Sequence, residues 1–214
     1  MLKVDFAKSS YKVLCLGAHC DDIEIGCGGT VLKLLGDYPD TEFYWVVFSA
    51  DQQRAQEASA SADMFLRHAR ERNIVIKNFR DGFFPYIGFQ IKEYFEQLKQ
   101  AFSPDLILTH YRNDLHQDHR LVSDLTWNTF RDHLILEYEV PKYDGDFGCP
   151  NLFVHLDETT LRRKIQYIFD SFRTQAGNHW FSKETFMSIP RLRGIESNAP
   201  DKYAEAFYCR KMVL

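Results

Sequence analysis

Short apolar runs alternate with segments of helical periodicity along the chain, and this alternation constrains the fold more than any other feature. The runs typical of buried strands are 13–16, 43–48, 74–79 and 106–109. Between and after them, apolar residues recur at three- and four-residue intervals, a pattern that predicts helices with one buried face: 31–35, 54–68, 91–102 and 116–130. This order predicts an α/β fold with a mostly parallel sheet covered by helices on both faces.

The carboxyl-terminal part of the chain continues the same mixture of elements. Further strands are expected at 133–138, 152–156 and 206–212, with an amphipathic helix at 158–172 and another helical stretch that ends before Pro190. The 214 residues contain no internal repeat, low-complexity run or linker. We therefore expect a single domain over residues 1–214.

Composition and charge exclude several classes of protein. The formal net charge of −4 gives no reason to expect binding of nucleic acid or of an anionic membrane. No apolar run approaches the roughly 20 residues that span a bilayer. The first residues, MLKVDFAKSSYK, lack the apolar core of a signal peptide. The five cysteines form no CxxC pair, which is typical of reduced thiols in a cytoplasmic protein.

The first group of chemically active residues follows the first predicted strand, in residues 17–30 (GAHCDDIEIGCGGT). Side chains at such a position lie at the carboxyl edge of a parallel sheet, where α/β proteins bind ligands. His19 and Asp22 suit a divalent metal such as zinc, which leaves Asp21 as a base. Asp22 also has an alternative role as a helix N-cap. The glycines at 26, 28 and 29 are expected to permit close packing, because their spacing does not match a dinucleotide fingerprint.

The second group, residues 110–119, follows the fourth predicted strand, so the fold brings it to the same edge of the sheet. His116 and His119 share one face of a helix. One of them, with His19 and Asp22, completes a two-histidine, one-carboxylate set with an open position for water. Zinc lowers the pKa of such a water to about 7, and Asp21 is placed to take its proton.

In this arrangement the second histidine donates to the developing oxyanion and Asp118 fixes its tautomer. The layout is suited to hydrolysis of an amide or an ester. His110 and Asp114 are expected to line the pocket, with a role as metal ligands as the alternative. The alternative for His116 and His119 is a solvated helix start.

These residues resemble a known family. AHCDDIEIGCGG resembles the AHPDD signature of the PIG-L/LmbE-type N-deacetylases, and HQDH resembles the family's HPDH signature. DDIEIG is similar to the branch of the bacillithiol pathway. Three further matches are Arg54 with Glu57 and Ala58, the Asp81-Gly82 pair, and the YAEAF segment at 203–207.

The resemblance implies a Rossmann-like, three-layer α/β/α fold and a zinc-dependent deacetylase of N-acetylglucosamine units, with Fe²⁺ as an alternative metal. It also assigns roles to eight positions. The implied metal ligands are His19, Asp22 and His119, and the implied catalytic residues are Asp21 (general base), His116 (stabilising or protonating the intermediate) and Asp118 (orienting His116). Arg54 and Asp81 are implied to contact the sugar.

The sequence departs from the family pattern at three places. Cys20 and Gln117 stand where the two signatures usually have proline, and the segment between Ser49 and Arg54 is short. The short segment affects the identity of the substrate more than the chemistry, and Cys20 introduces a thiol beside a metal ligand.

The sequence thus predicts a metal-dependent hydrolase that removes an acetyl group from a small-molecule amino-sugar conjugate. Two alternatives stay open: a metal-dependent hydratase on the same scaffold, and a non-catalytic subunit that binds metal or sugar. A homo-oligomer is also open, since the late strands and the aromatic loop at 82–88 offer an interface.

Overall fold

A computed structural model of the chain describes residues 8–213. Residues 1–7, which carry part of the expectation about a signal peptide, lie outside this range. The strands are β1 (Lys12–His19), β2 (Glu42–Ser49), β3 (Glu71–Ile76), β4 (Leu106–His110), β5 (Leu134–Tyr138), β6 (Leu152–Leu156) and β7 (Tyr203–Cys209). The helices are α1 (Asp22–Asp37), α2 (Gln52–Phe65), α3 (Gly88–Ala101), α4 (Gln117–Thr129), α5 (Glu158–Ser171) and α6 (Lys183–Glu196). None of these helices is long and apolar enough to cross a membrane.

The strands form one seven-stranded sheet in the order β3-β2-β1-β4-β5-β7-β6. The pairs from β3 to β5 are all parallel, whereas β7 runs antiparallel to both β5 and β6. The strand order reverses its direction of growth between β1 and β4, which are neighbours in the sheet although α1, β2, α2, β3 and α3 separate them in sequence. Ligands of α/β proteins bind at the carboxyl ends of strands at such a switch point.

Alternating side chains of the central strands enter two separate cores. Val13 and Cys15 face a core that includes residues of α1, α2, α5 and α6, whereas Leu14 and Leu16 face a core built with α3 and α4. The sheet is therefore covered on both faces. The predicted three-layer, mostly parallel α/β architecture is confirmed.

The glycine-rich part of α1 is helical because it packs tightly, not because its sequence favours a helix. A Cβ atom at Gly26 would lie 2.1 Å from Tyr138, one at Gly28 would lie 2.7 Å from Phe65, and one at Gly29 would lie 2.5 Å from Leu156. The expectation of close-packing glycines is therefore correct. The helix begins at Asp22, well before the apolar pattern at 31–35.

The boundaries of several elements differ from the sequence-based expectation, and three of these differences have a clear physical reason. β3 ends at Ile76 because only isolated backbone bonds, from Lys77 to Val47 and from Phe79 to Phe48, continue its pairing with β2. α6 continues through Pro190, whose missing N–H removes a single helical bond. β7 begins at Tyr203, because the strand pairs with β6 from that residue.

Candidate metal centre

The two predicted groups meet at the carboxyl edge of the sheet. His19 is the last residue of β1 and His110 is the last residue of the adjacent β4. Asp22 is the first residue of α1, and His119 lies in the first turn of α4. Sequence positions about a hundred residues apart therefore contact one another directly.

Three atoms of this group form a compact triangle. Nδ1 of His19 lies 3.1 Å from Nε2 of His119 and 3.4 Å from Oδ2 of Asp22. Nε2 of His119 lies 3.5 Å from the same Oδ2 atom. A tetrahedral metal with bonds of about 2.1 Å has ligand atoms roughly 3.4 Å apart. The three side chains therefore fit one face of such a coordination shell, and their nitrogen and oxygen atoms suit zinc or Fe²⁺.

In His19 and His119, the ring nitrogen that faces away from the triangle, called here the outer nitrogen, contacts a carboxylate. Nε2 of His19 lies 3.0 Å from Oδ1 of Asp81 and 3.2 Å from Oδ2 of Asp118. Nδ1 of His119 lies 2.9 Å from Oδ2 of Asp114. Donation of the outer N–H to a carboxylate fixes the tautomer and the ring orientation that metal-binding histidines use.

Besides this triangle, three other sets of side chains among residues 8–213 bring three ligand atoms within 4.8 Å of one another: His19 with His116 and His119, Asp22 with His110 and His119, and His19 with Asp81 and Asp118. Hydrogen bonding disfavours the last two. The backbone N–H of Ala18 donates to Nε2 of His110 at 2.9 Å, which occupies that nitrogen's lone pair. Nε2 of His19 is the N–H that Asp81 and Asp118 accept.

Nε2 of His110 also lies 3.2 Å from Oδ2 of Asp22. A single ring nitrogen cannot accept from Ala18 and donate to Asp22 at the same time. We assign it as an acceptor, because the direction of the Ala18 N–H is fixed by the backbone of β1. His110 therefore supports the group rather than neutralising Asp22, and its ring stacks on that of His119 with centroids 3.9 Å apart.

Asp21 occupies a strained position directly beside the triangle. Its φ angle of 82° lies in the left-handed region, which is unusual for a residue with a side chain. The side chain does not cap α1, and its Oδ2 atom is buried without a hydrogen-bond partner in the described part of the chain. A buried carboxylate oxygen left free in this way is suited to accept a proton from a water in the site.

The charges around Asp21 act in opposite directions on its pKa. Burial and the neighbouring Asp22 raise the pKa of Asp21 well above its ordinary value, while Arg54 opposes the rise. Nη2 of Arg54 lies 3.7 Å from Oδ1 of Asp21 and donates to the carbonyl of Cys20 at 3.1 Å. The guanidinium thus faces the same carboxylate from the solvent side.

The histidines differ in their protonation. Burial, with His110 beside it, lowers the pKa of His119 to about 4, which keeps the ring neutral at neutral pH, as a metal ligand requires. Burial and the neighbouring His19 lower the pKa of His116. Burial would also lower the pKa of His19, but hydrogen bonds to Asp118, Asp22 and Asp81 outweigh it and raise this pKa well above its usual value. A divalent ion bound at Nδ1 would displace the second ring proton, so metal binding at this residue would release a proton.

The carboxylate of Asp118 is directed at the metal centre and at a loop. It accepts from the backbone N–H groups of Gly82 at 2.7 Å and Phe84 at 3.1 Å, in addition to its contact with His19. Nδ1 of His116 accepts from the backbone N–H of Asp118 at 3.2 Å. No described hydrogen bond joins the Asp118 carboxylate to His116, so orientation of His116 by Asp118 stays a prediction.

The two residues predicted to contact the sugar, Asp81 and Arg54, lie at the rim of the site. The side chain of Asp81 is 61% exposed, and that of Arg54 is 23% exposed. The thiol of Cys20 is buried and contacts the carbonyl groups of Ser49 and Arg54 at 3.5 Å each. Burial raises the pKa of this thiol to about 12, so it is protonated at neutral pH.

One part of the group was not predicted from the sequence. Nζ of Lys142 lies 2.8 Å from Oδ2 of Asp114, the oxygen atom that faces His119. Oδ1 of Asp114 accepts the backbone N–H of His116 at 2.8 Å. Lys142 lies in the irregular segment between β5 and β6, and nothing in its sequence context indicates this contact.

The fold and the site together define an α/β protein with a candidate metal centre at the carboxyl edge of its sheet. The family model of PIG-L, described as GlcNAc-PI de-N-acetylase, matches residues 14–130. The chain belongs to the PIG-L family, as the resemblance in its two motifs predicted. A comparison with curated proteins found no match.

Solved structures share the fold. The conserved protein TT1542 from Thermus thermophilus superposes with a TM-score of 0.75 at 17% identity, covering 94% of this chain and 95% of that one. The N,N'-diacetylchitobiose deacetylase from Pyrococcus horikoshii superposes with a TM-score of 0.66 at 20% identity, covering 92% of this chain and 83% of that one. GalB, the 4-carboxy-2-hydroxymuconate hydratase from Pseudomonas putida, superposes with a TM-score of 0.69 at 16% identity, covering 95% of this chain and 97% of that one.

Proposed function

We propose that the protein is a metal-dependent N-deacetylase that hydrolyses the acetamide of an N-acetylated amino sugar. The observation that carries this proposal is the buried, unpartnered Oδ2 atom of Asp21, whose carboxyl group is electrostatically coupled to Asp22 and His19 of the triangle. A protein that only binds a metal or a sugar has no use for an unpartnered base at that position.

We assign His19, Asp22 and His119 as the ligands. A divalent ion held by them would polarise the acetamide carbonyl and lower the pKa of the attacking water. Asp118 and Asp81 hold the outer nitrogen of His19, and Asp114 holds that of His119, so that the ring nitrogens facing each other keep their lone pairs.

The other residues act on protons and charge. Asp21 takes the proton of the attacking water at Oδ2 and then transfers it to the nitrogen of the leaving amine. Nδ1 of His116 accepts from the backbone of Asp118, so its ring proton lies on Nε2, where it can donate to the developing oxyanion. His116 packs against both ligand histidines, with ring centroids 4.8 Å from His19 and 4.6 Å from His119.

An amino-sugar substrate is supported by the description of the family model and by the chitobiose deacetylase that shares the fold. Arg54 and Asp81, at the rim, are assigned to the sugar hydroxyl groups. The cysteines at 15, 20, 27, 149 and 209 are all unpaired. Their free thiols support the proposed location in the reducing cytoplasm.

The proposal is tested by screening for acetate release. Protein stripped with a chelator and then reloaded with Zn²⁺ or Fe²⁺ is incubated with N-acetylglucosamine, N,N'-diacetylchitobiose, nucleotide sugars and N-acetyl pseudodisaccharides. We expect acetate and free amine in equal amounts from at least one class, only after reloading. Absence of acetate from every class with metal-loaded protein would contradict the proposal.

The hydratase alternative is favoured by one observation, the shared fold with GalB. It is tested in the same plate with 4-carboxy-2-hydroxymuconate, followed by its ultraviolet absorbance. Consumption of the muconate without acetate release from any sugar would replace the deacetylase by the hydratase. Sugar binding without turnover would instead favour the non-catalytic alternative.

His110 gives a separate prediction about the metal. Because this residue stacks on His119 and accepts the Ala18 N–H next to His19, its loss should disorder two ligands at once. We expect His110→Ala to lower metal affinity by about 10- to 100-fold, measured by competition with a chromogenic chelator. His110→Phe keeps the stacking ring and should lose less. Equal affinity in wild type and both variants would show that His110 does not support the ligands.

A further inference from the structure

A second concave site lies away from the metal centre, between the ends of α1 and α2 and the outer face of α5. Its volume is about 220 Å³. Eight residues line it: Leu32, Leu35, Gly36, Phe65, Arg67, His68, Arg163 and Tyr167. None of the eight is acidic, although the whole chain carries a net charge of −4.

The floor of this cavity is apolar and aromatic. Phe65 is 1% exposed and Leu35 is 8% exposed, and both belong to the core on this face of the sheet. The rings of Phe65 and Tyr167 meet edge to face with centroids 5.3 Å apart. A Cβ atom at Gly36 would meet nothing within 4 Å, so this glycine leaves the wall open.

The rim is basic and carries no counter-charge. Arg67, His68 and Arg163 are exposed, and none of them forms an ion pair with another described residue. Arg67 lies over the ring of Tyr167 at 5.6 Å, and its Nε donates to Nε2 of His68 at 3.0 Å. The remaining ring nitrogen of His68 therefore carries the proton and is a donor.

Three basic residues on the same helices or next to them, outside the cavity, are neutralised. Arg162 pairs with Glu158, Arg72 with Asp63, and Lys33 with Asp37. The dipole of α2 favours a positive charge near the carboxyl end of the helix, and this explains Arg67 without a bound anion. It does not account for Arg163, which lies in the interior of α5. The two guanidinium groups that line the apolar floor differ from these three neighbours in having no carboxylate partner, although Arg70, also near the end of α2, has none either among the described residues.

We propose that this cavity binds a small amphipathic anion, an aryl or short acyl phosphate or carboxylate. Its apolar group would lie on Leu35, Phe65 and Tyr167, and its anionic group between Arg67 and Arg163, since guanidinium groups bind phosphate and carboxylate through paired donors. Engineered cavities of about 150 Å³ hold a benzene molecule, so the observed volume suits a ligand of this size.

The site is distinct from the proposed catalytic centre and does not depend on it. The helix α1 begins at Asp22, in the metal centre, and reaches the cavity at Leu32. At a rise of 1.5 Å per residue these two positions lie about 15 Å apart along the helix. The carboxyl ends of α1 and α2 lie at this site and their dipoles disfavour an anion, so binding of the anionic group would depend on Arg67 and Arg163.

The test is calorimetric titration of the metal-loaded protein with phenyl phosphate, with inorganic phosphate and phenol as the two halves of the probe. We expect phenyl phosphate to bind at least tenfold more tightly than either half. Arg163→Gln should weaken its binding at least fivefold, and Gly36→Phe, which adds a large side chain at a lining position with open space around it, should weaken it further. Arg162→Gln is the matched control and should change nothing, because Arg162 pairs with Glu158 outside the cavity.

A phosphate could also bind at the metal centre, and His119→Ala separates the two sites. Binding that persists in His119→Ala and falls in Arg163→Gln supports the cavity. Binding that is lost in His119→Ala and unchanged in Arg163→Gln overturns the proposal, as does the absence of binding to wild type at millimolar probe. Melting temperatures of all variants confirm that the comparisons concern folded protein.

Discussion

Replacing Asp21 by asparagine is expected to lower kcat for acetate release by about 10²- to 10⁴-fold while the metal content stays unchanged. The reason is geometric. Oδ2 of Asp21 is buried without a partner, the carboxyl group is coupled electrostatically to Asp22 and His19, and the side chain makes no capping bond to α1. Its one described ion pair, to Arg54, is long at 3.7 Å, so the residue can lose its basicity with little loss of structural contact.

Asparagine is the appropriate substitution because Asp21 has a φ angle of 82°. Asn tolerates the left-handed region nearly as well as Asp, whereas Ala would add backbone strain. Metal content measured by mass spectrometry and kcat measured by acetate release separate the two roles. A variant that loses metal in parallel with activity would reassign Asp21 as a ligand. A variant that keeps wild-type kcat would remove it from the proton transfer.

A substrate-side control uses Arg54, which faces Asp21 at 3.7 Å. Arg54→Lys keeps a positive charge near the carboxylate but loses the paired donors assigned to the sugar. Its main effect should therefore be on KM, in contrast to the effect of Asp21→Asn on kcat. The two variants together distinguish a residue that moves a proton from one that holds the substrate.

The sequence was sufficient to predict the layers of the fold because its central strands are buried on both faces. β1 and β4 are continuous apolar runs for that reason, and a parallel sheet brings their carboxyl ends together. The approach of His19 to His119 follows from this topology alone. The helical state of residues 22–30 does not follow from local pattern, because the glycines that lower helix propensity are accommodated by contacts with Tyr138, Phe65 and Leu156.

The orientation of side chains within the site was beyond sequence reasoning. The Asp118 carboxylate lies on a helix next to His116, and the motif suggested that it orients that histidine. In the structure the loop after β3 presents the backbone N–H groups of Gly82 and Phe84 to Asp118, and these donors direct its oxygen atoms toward His19. The conformation of this loop, more than thirty residues from Asp118 in sequence, depends on tertiary contacts that local sequence pattern does not reveal. The contact between Lys142 and Asp114 is another example.

The second large effect is expected for His119→Ala, which should abolish both metal binding and acetate release. His119 supplies Nε2 to the triangle, at 3.1 Å from His19 and 3.5 Å from Asp22. Alanine leaves two protein ligands, fewer than the three that catalytic zinc sites use. The nearby His110 cannot replace it, because its Nε2 atom already accepts the Ala18 N–H.

Asp114→Asn is the matched variant for this prediction, because it retains His119 and removes the charge that holds its outer nitrogen at 2.9 Å. We expect it to lose only about 10- to 100-fold in metal affinity. Chelator competition and equilibrium dialysis measure both variants, and circular dichroism checks that each is folded. Full metal occupancy in His119→Ala would contradict the ligand set and would leave His116 as the second histidine ligand, since it also lies beside His19.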